Sequence, residues 1–333
     1  MASPLYAILS DIHGNYEALK AVSRDARRIA RQGRFRSLVF ISLGDVVDYG
    51  PQPNECMNWL ARAKPIVTLQ GNHDAEATAS LYRPPTRVGA EWWPITFWTR
   101  YTLKPMYRDR LASWPGVAPG VNHGAGLERF LFFHSDPWDQ DSIIQSPGEA
   151  QRVLEELRRR RFRYACFGHT HFQMLYIGQG RNRTPRDVYA VSERTPMSES
   201  AWPVNRWHHL PSTATLLNPG SVGQPRAHAK QPGGDSRASY LLLYFDSSDG
   251  FLFQWRRVPY NVEATVRELC ALRLPSMPDT GQTQGKDVHH GREHQASSFM
   301  TKFDPRRMAE ALPQVTRHLA RVLLQRGGDG CSV

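Results

Sequence analysis

Leu5-Tyr6-Ala7-Ile8-Leu9-Ser10-Asp11-Ile12-His13-Gly14-Asn15 is the stretch that decides the fold: a strand-length apolar run gives way abruptly to a carboxylate, an imidazole, a glycine and an amide. An uninterrupted run of this kind reads as a strand buried on both faces. Immediately behind it, Tyr16, Leu19, Val22, Ala26 and Ile29 recur at three- and four-residue steps, so Tyr16–Arg31 reads as an amphipathic helix laid on the sheet. Strand, polar cluster and helix together make the unit to look for along the chain.

The unit recurs. Further apolar runs are Leu38–Leu43, Ile66–Leu69, Phe130–Phe133, Tyr164–Phe167, Thr213–Leu217, Ser239–Phe245 and Phe251–Val258. A second helix is expected at Gly148–Arg160, with Ala150, Val153, Leu154 and Leu157 inward. Strands alternating with helices early and following one another late point to a mixed α/β (α+β) fold, a pair of mixed sheets covered by helices. Residues 1–275 read as one domain with two insertions: an aromatic-rich helical cap at 75–115 and a polar loop or hairpin at 182–211, within which Trp207-His208-His209 read as exposed loop. Composition then turns to Gly, Gln, Ser and His, the mark of a flexible linker at 276–303. A C-terminal helix is expected at 304–326, its Met308–Val322 stripe a docking or dimer face.

Five polar clusters share one placement, each after an expected strand: Asp11-Ile12-His13; Gly44-Asp45 through Asp48-Tyr49-Gly50; Gly71-Asn72-His73-Asp74; His134-Ser135; and Gly168-His169-Thr170-His171. Strand ends that face the same way converge, which is where ligands bind in such sheets. Residues two apart in a turn or extended segment point to the same side, so Asp11 with His13, and His169 with His171, can aim at one pocket. Glycines ahead of Asp45, Asn72 and His169 allow a close approach of backbones. Carboxylate, imidazole and amide without thiolate are the ligand mix for Mn, Fe, Zn or Ni rather than copper or iron–sulfur.

The ordered set DxH, GDxxDxG, GNHD, a lone His and GHxH resembles the calcineurin-like metallophosphoesterase superfamily over residues 5 to about 260. Gly44–Pro51 with Pro53-Asn54-Glu55-Cys56, and Asn218–Arg226 with Ala238-Ser239-Tyr240, resemble its small bacterial and archaeal phosphodiesterase-like branch. The resemblance implies a four-layer αββα sandwich with a dinuclear site at the carboxyl ends of the strands. It implies two divalent cations, manganese first, with iron, zinc or nickel as alternatives. Asp45 would bridge them; Asp11, His13 and His171 would complete one, and Asn72, His134 and His169 the other. A metal-bridging hydroxide would attack phosphorus, His73 would serve the leaving oxygen, and Asp48 would orient His73. Arg226 is a candidate for gripping a substrate phosphate. Two positions depart from related branches. Tyr49 stands where phosphoprotein phosphatases and dinucleoside tetraphosphate hydrolases carry Arg, which favours diesters. Ser135 replaces the common glycine after His134, and the ligand role of His134 is expected to survive it.

The expected function is therefore a metallophosphoesterase, first of all a phosphodiesterase acting on a nucleotide-like or other small phosphoester. Alternatives are a dinucleoside polyphosphate hydrolase or phosphomonoesterase, and, from another class, a non-catalytic metal-binding scaffold, against which the presence of His73 argues. The 333 residues carry 42 Lys and Arg against 31 Asp and Glu, a net +11, which keeps nucleic acid as a secondary option. Most of that surplus sits in Lys20–Arg36 and Arg152–Arg163, both just ahead of strands, so it belongs at the pole opposite the catalytic motifs. Apolar runs are far short of a membrane span. Asn15 is expected to cap the first helix. Four scattered cysteines give no disulfide framework, and a cytoplasmic, membrane-free location is expected.

Overall fold

The computed structural model describes residues 3–33, 35–79, 93–121, 123, 126–138, 142–178, 188–192, 203–225 and 236–272. Arg226, the linker 276–303 and the helix 304–326 lie outside them. The chain separates into a unit Met1–Gly285, which holds everything described, and a second unit, Lys286–Val333.

Two six-stranded sheets carry the fold. The first has β1 (Leu5–Leu9), β2 (Leu38–Ser42) and β3 (Val67–Thr68), with β9 (His208–His209), β11 (Ala238–Asp246) and β12 (Gly250–Val258), in the order β3-β2-β1-β11-β12-β9. The second has β4 (Val117–Pro119), β5 (Phe130–Phe133), β6 (Tyr164–Cys166), β7 (Gln173–Gly178), β8 (Val188–Ser192) and β10 (Thr215–Pro219), in the order β4-β5-β6-β10-β7-β8. Within each sheet three strands run parallel: β1, β2 and β3 in one, β5, β6 and β10 in the other. Their carboxyl ends therefore point the same way and carry the polar clusters.

Alternation along the strands sets the layers. Leu5, Ala7 and Leu9 pack with Ala18, Leu19, Val22 and Ala26 of α1 (Tyr16–Gln32) and with Met57 and Leu60 of α2 (Pro53–Ala63). Tyr6 and Ile8, on the other face, meet Phe130, Phe132, Tyr164 and Cys166 of the second sheet. The remaining face of that sheet, Leu131, Phe133 and Ala165, packs on Ala150, Val153, Leu154 and Leu157 of α6 (Pro147–Arg159). Helix, sheet, sheet and helix make the expected four layers. Asn15 caps α1, its Oδ1 accepting from Ala18 N at 3.1 Å while Nδ2 donates to Gly223 O.

The cap region holds α3 (Asn72–Thr78), α4 (Trp93–Thr102) and α5 (Pro105–Ala112). α7 (Val262–Ala271) follows the last strand. The stretch expected as a single loop or hairpin at 182–211 instead supplies strands to both sheets: β8 pairs with β7, and β9 with β12. His208 and His209 are thus strand residues, with His208 Nε2 bonded to Pro203 O at 2.9 Å. Partner strands hold this edge, since a two-histidine strand has little propensity of its own. Among the described residues no helix is long and apolar enough to cross a membrane.

Candidate metal centre and catalytic histidine

The loops leaving β1, β2, β3, β5 and β6 meet, and they are built from strained backbone. Of the ten non-glycine residues with positive φ among those described, seven are in these loops: Asp11, His13, Asp45, Asp48, Tyr49, His169 and His171. Left-handed backbone in residues with a side chain is costly and clusters where function over-determines it. Mutual hydrogen bonds enforce it here: Asp11 N donates to Gly44 O, His13 N to Asp45 O, Gly14 N to Val46 O and Gly168 N to His134 O. The glycines act as expected. A Cβ on Gly71 would lie 2.0 Å from Asp45 Oδ1 and 2.5 Å from Asp45 N.

Apart from the set Asp48, His73 and Glu76, two candidate ligand groups result, Asp11, His13 and His171 in one and Asp45, His134 and His169 in the other. Asn72 joins the second, its Oδ1 2.9 Å from His169 Nδ1. All of these ligands except Asn72 and His169 are buried. Each group draws on both sheets: Asp11, His13, Asp45 and Asn72 follow strands of the first, His134, His169 and His171 strands of the second.

The donors fit cations. Nδ1 of His13, His134 and His171 each faces a backbone carbonyl, of Val47 (3.3 Å), Leu43 (2.9 Å) and Gln224 (2.8 Å). A carbonyl only accepts, so Nδ1 carries the hydrogen and Nε2 keeps its lone pair for the site. The Nε2 atoms of His13 and His171 then face each other at 3.1 Å, and His171 Nε2 stands 3.3 Å from Asp11 Oδ1. His134 Nε2 lies 3.0 Å from Asp45 Oδ2, yet neither buried atom has a hydrogen-bond partner of proper alignment. Ligands at right angles on a cation with bonds of about 2.1 Å stand about 3.0 Å apart, so these spacings are those of a coordination shell.

Electrostatics agree. Burial, reinforced by neighbouring imidazoles, holds His13 well below the ordinary histidine range, and burial together with the charge of His134 brings His169 down to about 4, leaving both rings neutral. Burial alone would raise Asp11 and Asp45, but the surrounding histidines outweigh it and both remain ionised. His134 departs from this pattern: burial is outweighed by Asp45 and Asp11, which raise it to about 9, so a cation would have to displace the proton from its Nε2.

Beside this centre His73 Nδ1 bonds Asp48 Oδ2 at 2.8 Å, with the Asp48 carboxylate fully buried. His73 N donates to Asp45 Oδ1 at 3.0 Å. Burial opposes charge on His73, but Asp45 and Asp48 prevail and lift it to about 10. The half-buried Tyr49 ring leans on His13 and His73, with centroids at 4.7 Å and 4.4 Å. The structure thus brings every expected site residue among those described to one place.

Asp74 takes a part that motif reading assigned to nothing. Its Oδ1 accepts from Val46 N and Val47 N, and its Oδ2 from Gly71 N, tying the loop after β2 to that after β3. Burial and the charge of Asp45 push Asp74 up to about 7, against the Gly71 and Val47 N–H donors and the charge of His134. Asn218, at the end of β10, does the same for the last motif: Nδ2 donates to Gly168 O (2.8 Å) and Thr170 Oγ1 (3.1 Å), and Oδ1 accepts from Gly220 N (2.9 Å).

Sheets, converging loops and ligand sets of this kind define a metal-dependent hydrolase of phosphoesters. The model of the calcineurin-like phosphoesterase family matches residues 5–173, and the chain belongs to that family. An uncharacterized protein of Methanocaldococcus jannaschii is 26% identical over 282 residues, covering 83% of this chain and 96% of its own. The metallophosphoesterase of Sphaerobacter thermophilus superposes with a TM-score of 0.61 at 26% identity, over 82% of this chain and 95% of that one. A hypothetical protein of Pyrococcus horikoshii OT3 shares the fold, with a TM-score of 0.57 at 16% identity over 82% and 94% of the two chains. The protein is accordingly a phosphoester hydrolase of a family that uses a dinuclear divalent metal site and acts on small phosphoesters.

Proposed function

We propose that this hydrolase is a phosphodiesterase acting on a nucleotide-like or other small diester. The observation that carries the reading is Tyr49. It lies against both the candidate ligand His13 and the proton donor His73, and puts an aromatic ring where a guanidinium would grip a dianionic monoester. A diester carries one negative charge on its phosphoryl oxygens and a second organic group, which an aromatic face suits better.

In this reading Asp11, His13 and His171 hold one divalent cation and Asn72, His134 and His169 the second. Asp45 would serve both; its Oδ1 accepts from His73 N, and its Oδ2 lies 3.0 Å from His134 Nε2 and 3.8 Å from His13 Nε2. Manganese suits this imidazole, carboxylate and amide set. Bound there, the cations lower the pKa of water toward neutrality and stabilise negative charge on the phosphoryl group. The chain's own residues do the rest. His73, fixed through Nδ1 by Asp48, presents Nε2 to the leaving oxygen. As an oxygen from water, its proton lost to solvent, bonds to phosphorus and the bond from phosphorus to the leaving oxygen breaks, the leaving oxygen takes the Nε2 proton and the second product leaves neutral.

The test is hydrolysis of bis(4-nitrophenyl) phosphate and 4-nitrophenyl phosphate with Mn²⁺, comparing the native chain with Tyr49→Arg and His73→Ala. A higher kcat/KM on the diester, shifting toward the monoester in Tyr49→Arg, is expected. Preference for the monoester in the native chain would sink the diester reading, and activity of His73→Ala equal to native on methyl phenyl phosphate, whose leaving group depends on a proton, would sink the role of His73.

A further inference from the structure

The cap insertion reaches the proton donor through a chemical contact. α4 presents Thr96 and Thr99, three residues apart and so on one helix face. Both are buried, 4% and 0% exposed. Thr96 Oγ1 donates to Asp48 Oδ2 at 2.8 Å, and Thr99 Oγ1 to Asp48 Oδ1 at 3.4 Å. Oδ2 is thus shared between Thr96 and His73 Nδ1, the latter also at 2.8 Å. A carboxylate sealed from water needs donors on both oxygens. Among the described residues its side-chain donors come from outside its own loop, one from α3 and two from α4.

α4 is itself held firmly. Ile95, Phe97 and Leu103 are buried along it and just past its end. Asn54 of α2 clasps its last turn, donating through Nδ2 to Thr102 O at 2.9 Å and accepting from Lys104 N at 3.0 Å. Arg100 bonds Ala79 O at the end of α3. The two hydroxyls therefore stand on a braced helix and fix the plane of the Asp48 carboxylate, which in turn fixes the plane of the His73 ring.

We infer that Thr96 is a positioning residue for hydrolysis: acting through Asp48, it sets the orientation from which His73 Nε2 reaches the leaving oxygen, with Thr99 supporting the other carboxylate oxygen. The inference rests on His73 being the proton donor. Its signature is selective. A leaving group that departs readily as an anion needs little help from a proton, whereas a poor one depends on it. Disturbing a metal ligand or the fold would slow both alike.

The experiment measures kcat and KM on methyl 4-nitrophenyl phosphate and methyl phenyl phosphate for the native protein, Thr96→Val, Thr96→Ser and His73→Ala, with bound Mn²⁺ and Tm recorded for each. Thr96→Val keeps the shape of threonine and removes the hydroxyl. It is expected to lower kcat on the phenyl ester about 10-fold, part of the ~10²–10⁴-fold that general acid catalysis contributes, and to leave the nitrophenyl ester, KM and metal content nearly unchanged. Thr96→Ser is expected to restore the phenyl rate. If His73→Ala slows both esters equally, the reading of His73 falls and this inference with it. If His73→Ala discriminates between the esters and Thr96→Val does not, the role of Thr96 alone is overturned. Should valine lower Tm, Thr96→Ala carries the same expectation and the same refutation.

Discussion

Replacing Asn218 with alanine should loosen the site without touching any ligand. Its side chain, fully buried, holds both ends of the loop that carries His169 and His171 and its own following turn, through bonds of 2.8, 3.1 and 2.9 Å. Alanine leaves Gly168 O, Thr170 Oγ1 and Gly220 N without those partners. At about 1 kcal/mol for each bond, and more where a buried partner stays unsatisfied, the loss of stability is about 3–5 kcal/mol. The consequence for metal is separate. His169 and His171 sit at φ of 67° and 65°, conformations that relax once the loop is free. Supporting hydrogen bonds of this kind are worth about 10–100-fold in metal affinity. Urea unfolding of the metal-free variant measures the first effect, and calorimetric titration of folded protein with Mn²⁺ the second. An Asn218→Ala protein of native metal affinity would refute the argument that this amide sets the ligand geometry, whatever its stability.

Gly71→Ala should displace Asp45, since the new Cβ would meet its Oδ1 and N at 2.0 and 2.5 Å; overpacking predicts a loss of about 1–3 kcal/mol together with reduced metal stoichiometry, and full Mn²⁺ loading at native Tm would contradict it. Chelation should lower Tm and Mn²⁺ restore it, because cation at 100 times Kd adds about 2.7 kcal/mol to the folded state; a Tm indifferent to chelator would count against a cation at the candidate centre. Far from the site, Asp25 bonds Arg256 and the Tyr240 hydroxyl. Burial alone would raise Asp25, but Arg28, Tyr240 and Arg256 hold it below its ordinary value, so its contribution is complete above about pH 4 and disappears as pH falls through the lowered value. Asp25→Asn should therefore lose about 2–4 kcal/mol at neutral pH and progressively less in acid, and a pH-independent loss in urea titrations would exclude this origin. Neutralising Arg158–Arg161 should leave kcat/KM on small diesters unchanged, because these residues precede β6 at its amino end, with Arg159 and Arg160 paired to Glu156, whereas His169 follows its carboxyl end.

Sequence pattern reached far where burial on both faces wrote long apolar runs, as in β1 and β5, and where chemistry repeated a placement, as in the nine motif residues gathered around the site. It missed β7, whose apolar residues begin directly behind His171 and read as the tail of that motif. α2 was absorbed into a motif flank although Pro53 opens it and Cys56, Met57 and Leu60 face inward. β9 owes its existence to β12 and has no signal of its own. The supporting roles of Asp74, Asn218, Thr96 and Thr99 stayed hidden for a different reason, although Asp74 and Asn218 stand in quoted motifs. Each acts by a buried hydrogen bond to a partner chosen by the fold, and a single Asn or Thr has no spacing to betray it. Positive φ at His13 and His169 was foreshadowed only by the adjacent Gly14 and Gly168, and at Asp11 and His171 no neighbouring glycine announces it.

That each ligand group draws on both sheets has a bearing on the order in which the molecule can be made. All seven candidate ligands are part of the nascent chain once His171 is synthesised. The strands that set their register come later: β10, which lies beside β6, spans Thr215–Pro219, and β11, which lies beside β1, spans Ala238–Asp246. A nascent chain therefore displays its imidazoles and carboxylates well before either sheet is complete. Cation capture in the native arrangement is a late event of assembly, and in a refolding experiment with Mn²⁺ the binding signal should follow sheet formation.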